Sequence, residues 1–407
     1  MFCVKPAPIV GGFKAPPSKP LSQRYVLAAA IAEGTAEISP LELSDDVVAA
    51  LRAAQPLSSI SVEGRKAVVR SRKPDPVRSF SVGDSGFTLR VSTALYAGVA
   101  GDTIIYTSEQ VSRRPMEDLL SVLKKYAEIK WMPGAVLIRS KGVERVDAVI
   151  RGDITSQYIS GLMYLSAIAE DGGRIKVLGR KSWQYVETTA DVLRKFGGVV
   201  ELEGDEIYVN GPLRSPGLLA VPGDYALSAF LLVGAAVTGG RVVVDGLGEG
   251  PDRAVLDMLK ESGVSVRASG GVVSVEGAPT RPLDVDLSNT PDLAPPIALL
   301  AAFAPGRSAL RGVEHLAYKE SNRIETIRDV LGRLGARAEY KDGVLFIEGP
   351  PKAKDVEFRC HGDHRICLTA LVAARAVGGC IDDLAPIAKT WPSAPLYFIN
   401  AGPIDAL

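Results

Sequence analysis

Residues Glu187–Asn210, ETTADVLRKFGGVVELEGDEIYVN, read as a short amphipathic helix over Glu187–Phe196, a break, and two strands, Val199–Glu203 and Glu206–Asn210, joined by a charged turn. The same order recurs elsewhere. Val47–Gln55 precedes Ser59–Val62 and Ala67–Ser71, and Met116–Tyr126 precedes Ala127–Trp131 and Ala135–Ser140. Arg253–Ser262 precedes Val264–Ala268 and Val272–Glu276, and Glu325–Leu334 precedes Ala336–Tyr340 and Val344–Glu348. The helices carry apolar residues at i, i+3, i+4 and i+7, as in Ile327, Val330, Leu331 and Leu334. One leucine near each helix end aligns the copies: Leu51, Leu123, Leu193, Leu259 and Leu331, spaced roughly 66 to 72 residues apart. Such a period suits a duplicated α/β module and is too long for a solenoid. Five visible copies leave room for about one more, split by the termini. A lone helix-plus-hairpin cannot bury both faces, so several must pack their helices inward under shared sheets.

The 407 residues exceed one ordinary domain. Gly211–Pro222 (GPLRSPGLLAVP) and Ala15–Pro20 are Gly- and Pro-rich and read as crossings. They predict a discontinuous terminal lobe, 1–14 plus 223–407, and an inserted lobe, 15–222. Lys plus Arg and Asp plus Glu each total 47, so net charge is zero. That excludes a general nucleic-acid or anionic-membrane binder, which needs a basic surplus. No long apolar run predicts a membrane span. Four cysteines, at 3, 360, 367 and 380, are too few and clustered for a disulfide framework and predict a reducing compartment, the cytoplasm. Scarce Asn and Gln suggest a hot habitat.

Several basic and hydroxyl residues stand where a loop gives way to a helix, and a helix N-terminus attracts anions. Lys19 and Arg24 lie in PPSKPLSQR ahead of the Ala-rich helix Tyr25–Glu33; Gly83–Arg90 (GDSGFTLR) places a Gly turn before a helix with a cation one turn in. Thr155, Ser156 and Gln157 start a third helix, where the hydroxyls also suit simple capping. Arg113 and Arg114 precede Pro115, and Ser182 and Tyr185 lie in SWQY before another helix. In YKESNR, Lys319 and Arg323 would share a face if helical, with Glu320 between them; a surface ion-pair set explains this equally well. Asp292, in SNTPDLAPP before the apolar helix Ile297–Ala302, reads by default as an N-cap, and Lys389 in AKTWPSAP as a solvated lysine. CHGDHRIC invites a metal reading, but its ligand spacing is unlike that of structural zinc sites. The alternative sets Asp363, His364 and Arg365 at a helix start, with Cys360 and Cys367 packing as small hydrophobes. No Walker loop, dinucleotide fingerprint, HExxH or GxSxG occurs. Cations scattered over both halves of a neutral chain suit a small substrate bearing several phosphate or carboxylate groups, bound between lobes.

The ordered series SKPLSQR, SDD (Ser44–Asp46), GDSGFTLR, RRP, TSQ, SWQY, TPD, YKESNR, GDHR and AKTWP resembles the motifs of the 3-phosphoshikimate 1-carboxyvinyltransferase (EPSP synthase) family, across nearly the whole chain. The resemblance implies an α/β, two-lobed enolpyruvyl-transferase fold, each lobe of three repeated βαβαββ units with helices inside and sheets outside. It implies transfer of the enolpyruvyl group of phosphoenolpyruvate to the 5-hydroxyl of shikimate 3-phosphate by addition–elimination, with phosphate released. It implies no cofactor and no metal. Those two small molecules are the expected partners, without nucleic acid or membrane, and a monomer is expected.

By resemblance, Lys19 touches both substrates and Arg24 the shikimate carboxylate. Thr155, Ser156 and Ser182 hold the 3-phosphate, Gln157 makes a shared ring contact, and Tyr185 makes a further contact on the shikimate side. Asp292 matches the base near the 5-hydroxyl, Lys319 its neighbour, and Glu320 the acid that protonates the methylene carbon. Gly86, Arg114, Arg323, Arg365 and Lys389 match the phosphoenolpyruvate pocket. Four positions depart from the pattern: Pro20 replaces a serine, Phe87 a threonine, and Asp84 and His315 asparagines. The competing readings are a UDP-N-acetylglucosamine enolpyruvyl transferase and a catalytically weak binding protein on the same scaffold. The first is disfavoured because Thr107–Pro115 lacks the Cys or Asp that such a loop usually carries. An RNA-end-processing protein would need a basic groove with stacking aromatics, which the sequence lacks.

Overall fold

In the computed structural model, residues 1–399 are described; 400–407 of the expected terminal lobe lie outside the described residues. The chain forms two compact units: one of Met1–Ser18 with the chain from Pro222 onward, the other of Lys19–Val221. The described residues form five four-stranded sheets and one of three strands.

The repeat seen in sequence is a β-α-β-α-β-β unit. In one copy, Val77–Ser81 pairs in parallel with Gly101–Tyr106 across the helix Gly86–Ala97. After the helix Glu117–Leu123, the hairpin Ala127–Met132 and Ala135–Ser140 returns, its second strand antiparallel to Gly101–Tyr106. A second copy runs from Val146–Arg151 to Glu206–Asn210 with the same pairing. The third takes its first strand, Leu218–Ala220, from the far end of the unit to lie parallel to Thr35–Ser39.

The other unit uses the same device. Val10–Lys14 pairs in parallel with Arg241–Asp245, and Asp284–Asp286 with Gly306–Arg311, each sheet completed by an antiparallel hairpin. The shortened sixth copy joins Val356–Phe358 and Gly379–Ile381 to Phe2–Val4, so both ends of the chain contribute to it.

Burial follows from composition. Val146–Arg151 alternates strictly between buried and exposed residues, as expected of a strand with one wet face. Helices Gly86–Ala97 and Tyr225–Thr238 are buried on nearly every side, which their small and apolar residues permit. No helix among the described residues is long and apolar enough to cross a membrane.

Three local expectations are corrected. The first helix spans Lys19–Ile31, not Tyr25–Glu33, because Pro20 is tolerated in a first turn, where an N–H would lack a partner anyway. YKESNR is not one helical turn: Glu314–Tyr318 is 3-10, Lys319 is extended, and Asn322 caps a new helix, Arg323–Arg333. The four cysteines are not reduced, since Cys3 is bonded to Cys380 and Cys360 to Cys367. Spacing along the chain could not show the first bond, which forms because Phe2–Val4 lies beside Gly379–Ile381 with Cys3 opposite Cys380.

Candidate active site

In the Lys19–Val221 unit, the site residues gather at helix starts. Lys19 opens the first helix, and its Nζ lies 2.9 Å from Asp46 Oδ2. Asp46 sits in the first turn of Asp45–Ala54, a helix capped by Ser44. Gln23 ties these elements to the next, donating to Asp46 O at 3.1 Å, Ser85 Oγ at 3.2 Å and Thr88 Oγ1 at 3.1 Å.

Arg24 is buried, yet its acceptors are neutral. Nε donates to Thr189 Oγ1 at 2.9 Å, Nη1 to the Pro20 carbonyl at 3.0 Å, and Nη2 to the Tyr185 carbonyl at 3.2 Å. Pro20 thus contributes a backbone carbonyl, which any residue there would supply. Burial pulls the Arg24 guanidinium down to about 10, against the opposing pull of Tyr164 and Tyr185, so it stays charged at neutral pH.

Gly86 begins the helix Gly86–Ala97, and a Cβ there would stand 3.0 Å from both Arg90 Nη1 and Arg114 Nη1. Glycine lets both guanidiniums approach the helix start. Arg90 donates to Gln157 Oε1 at 2.7 Å, to the Pro115 carbonyl at 3.1 Å and to the Gly86 carbonyl at 3.4 Å. One side chain thereby joins three motifs that are far apart in sequence. Thr155 caps the helix Ser156–Ile168, accepting from Gln157 N. Ser182 has φ 52°, a left-handed conformation that costs a non-glycine residue energy and often marks functional positions. Tyr185 lies one residue inside the helix Gln184–Lys195.

The other unit concentrates acids around one arginine. Arg323 is 1% exposed. Its Nε lies 2.8 Å from Asp363 Oδ2, Nη2 2.8 Å from Glu320 Oε2, and Nη1 3.2 Å from Asp292 Oδ1. Burial alone would lower Arg323, but Asp363, Glu320 and Asp292 together hold it well above the ordinary arginine value. Arg365 Nη2 reaches Asp292 Oδ2 at 2.6 Å, and Lys389 Nζ lies 3.4 Å from Glu320 Oε1. Burial pushes the Lys319 ammonium down, with Asp292 opposing. Asp363, fully buried, caps His364–Val377, accepting from Arg365 N at 2.9 Å and Ser321 Oγ at 3.0 Å.

Two default readings fail here. Asp292 is not an N-cap; it lies in the 3-10 turn Pro291–Leu293 and spends its carboxylate on Arg323 and Arg365. Lys389 is 8% exposed and not a solvated lysine. Cys360 and Cys367 do not pack as free hydrophobes; their bond brackets Asp363 and Arg365. Among the described residues no group of three or more His, Cys, Asp and Glu could hold a metal ion.

Lys19, Arg24, Gly86, Arg114, Thr155, Ser156, Gln157, Ser182 and Tyr185 thus fall in one unit, and Asp292, Lys319, Glu320, Arg323, Arg365 and Lys389 in the other. Sequence reasoning gave no role to Gln23, Asp46 or Thr189, and it set Arg90 one turn into its helix and Asp363 at a helix start without their partners. Four of these lie inside or beside the quoted motifs; Thr189 carries no signal of its own. Of the departures, Asp84 accepts from Ser108 Oγ, His315 lies in the 3-10 turn Glu314–Tyr318, and Phe87 follows Gly86 in the helix.

The family model for EPSP synthase (3-phosphoshikimate 1-carboxyvinyltransferase) matches residues 4–395. A 3-phosphoshikimate 1-carboxyvinyltransferase of Korarchaeum cryptofilum is 35% identical over 97% of this chain and 96% of its own. One of Caldivirga maquilingensis is 37% identical over 91% and 90%. The solved EPSP synthase of Acinetobacter baumannii superposes with a TM-score of 0.81 at 25% identity, covering 98% of this chain and 97% of its own. An enolpyruvyl transferase of Streptomyces tendae shares the fold, with a TM-score of 0.76 at 18% identity and 98% and 96% coverage. A family match along almost the full length, relatives 35% and 37% identical, and a common fold together place this chain in the EPSP synthase family.

Proposed function

We propose that both residue clusters act on the same pair of substrates in the family's reaction, transfer of the enolpyruvyl group of phosphoenolpyruvate to the 5-hydroxyl of shikimate 3-phosphate. The hydroxyl oxygen adds to the central carbon of phosphoenolpyruvate while the methylene carbon gains a proton. The tetrahedral adduct then loses phosphate and a methyl proton, leaving the enol ether. Addition requires a base at the hydroxyl and an acid at the methylene, each worth roughly 10²–10⁴-fold. Asp292 serves as the base and Glu320 as the acid, which takes the methyl proton back in the second step. The observation that carries this reading is that Asp292 and Glu320 are held by one guanidinium, Arg323, at 3.2 and 2.8 Å. They are thereby set around one arginine.

Thr155, Ser156 and Ser182 receive the 3-phosphate at the N-terminus of Ser156–Ile168, where N–H groups and dipole favour an anion. Gln157 meets both substrates, Tyr185 contacts the shikimate side, Arg24 receives its carboxylate, and Lys319 lies near its hydroxyls. Gly86, Arg114, Arg323, Arg365 and Lys389 bind phosphoenolpyruvate, whose planar carboxylate suits arginine forks. Lys19 meets both substrates, exchanging Asp46 for their negative charge. The relatives' names and the match along the chain favour this reaction over the UDP-N-acetylglucosamine alternative. The cytoplasm is the compartment we assign, with its two disulfides of the kind seen in intracellular proteins of hyperthermophiles, and a monomer is the active form.

Phosphate release from phosphoenolpyruvate, measured with and without shikimate 3-phosphate, tests the function. Release that depends on shikimate 3-phosphate is expected. Release with UDP-N-acetylglucosamine in its place, or with neither acceptor, would refute the assignment.

A further inference from the structure

Arg24 is 3% exposed, and its guanidinium edge is occupied by three neutral oxygens. The Phe87 ring stands over the guanidinium, its centroid 4.4 Å from Arg24 Cζ. No carboxylate among the described residues is ion-paired with Arg24. A ring face carries negative potential, so it attracts a guanidinium without neutralising it. An Asp in the same place would cancel the charge that an anionic ligand needs. Phe87 is also one of the departures from the family pattern, and it sits directly after Gly86, so the helix start that carries Gly86 also fixes the ring.

We infer that Phe87 is a positioning residue for shikimate 3-phosphate: stacked on Arg24, its ring sets the plane of the guanidinium before the substrate carboxylate arrives. The inference rests on the reading of Arg24 as the carboxylate-binding residue. Phe87 also packs in the apolar core of its unit, so plain filling of space is the competing explanation. The two differ in what can replace the ring. Stacking needs an aromatic face, whereas filling needs only volume.

Full-length Phe87→Leu, Phe87→Thr, Phe87→Tyr and Arg24→Gln enzymes separate these. KM is measured for each substrate in turn, and binding of shikimate 3-phosphate alone by calorimetry. Phe87→Leu and Phe87→Thr are expected to weaken shikimate 3-phosphate binding and raise its KM roughly 3- to 30-fold. At saturation kcat stays within about twofold, the signature of lost binding and not of lost chemistry. Phe87→Tyr restores wild-type affinity to within about twofold. Wild-type affinity in Phe87→Leu, or a Phe87→Tyr enzyme as weak as Phe87→Leu, would overturn the stacking role. Unchanged affinity in Arg24→Gln would instead refute the assignment of Arg24. A weak Arg24→Gln beside a normal Phe87→Leu removes only the role of the ring.

Discussion

In the Lys19–Val221 unit, Arg24 rests on two carbonyls, a hydroxyl and an aromatic face, and Arg90 on two carbonyls and an amide oxygen. In the other unit, Arg323 meets three carboxylates within 3.2 Å, and Arg365 and Lys389 each meet one of the same acids. Arg24 thus keeps its positive charge available, whereas Lys19 is paired with Asp46. The other unit neutralises charge internally and fixes two carboxylates in place. On the proposed reading, Arg24 in the first unit receives the shikimate carboxylate, while in the second the same cations that bind phosphoenolpyruvate also hold Asp292 and Glu320 steady. A buried cation such as Arg24, held by neutral oxygens and an aromatic ring, is costly to fold around, so its persistence points to a ligand that supplies negative charge.

The contrast can be broken most sharply at the acids. Glu320→Gln and Asp292→Asn should each lower kcat by roughly 10²–10⁴-fold, with circular dichroism unchanged. Wild-type turnover in either variant removes it from the mechanism. Next in size is the support for Arg323. Asp363→Ala leaves a buried guanidinium short of a partner, and thermal or urea unfolding should show a loss of about 3–5 kcal/mol. A loss under about 1 kcal/mol would show that Asp363 is not essential to the cluster.

A second difference is covalent. All four cysteines lie in the unit built from both termini, and none lies in Lys19–Val221. Reduction should therefore destabilise the first unit by roughly 2–4 kcal/mol and leave the second nearly unmoved, read by hydrogen exchange resolved along the chain. Cys3→Ser should account for most of it, because that bond spans 377 residues against 7 for Cys360–Cys367. The smallest effect is expected at Arg90. Arg90→Lys loses the fork that joins Gln157 to Pro115, and KM for phosphoenolpyruvate should rise about tenfold. Equal loss of stability and of kcat would mark Arg90 as merely structural.

The repeat was legible because helix and strand periodicities follow directly from burial of one face. The hairpins at Val199–Glu203 and Glu206–Asn210 fall where the alternation puts them. The strands borrowed from elsewhere, such as Leu218–Ala220 and Phe2–Val4, are too short to carry a pattern, and only topology reveals their partners. At the site, the motifs located the charged residues but not their pairing. Asp292 reads as a cap, since an Asp before a helix commonly is one; only the approach of Arg323 and Arg365 from distant segments shows otherwise. Asp363 and Thr189 act through other side chains, and a residue whose partners are tens of positions away leaves no local mark in sequence.

The central claim, that proton transfer belongs to Asp292 and Glu320 and binding of the shikimate 3-phosphate carboxylate to Arg24, is tested most directly by solvent deuterium uptake. In D₂O with saturating substrates, the product methylene should acquire deuterium as the adduct gains one proton and loses another. Arg24→Gln, given enough shikimate 3-phosphate, should keep this exchange to within about tenfold, and Glu320→Gln should lose it by at least roughly 100-fold. Undiminished deuterium uptake in Glu320→Gln would contradict the account.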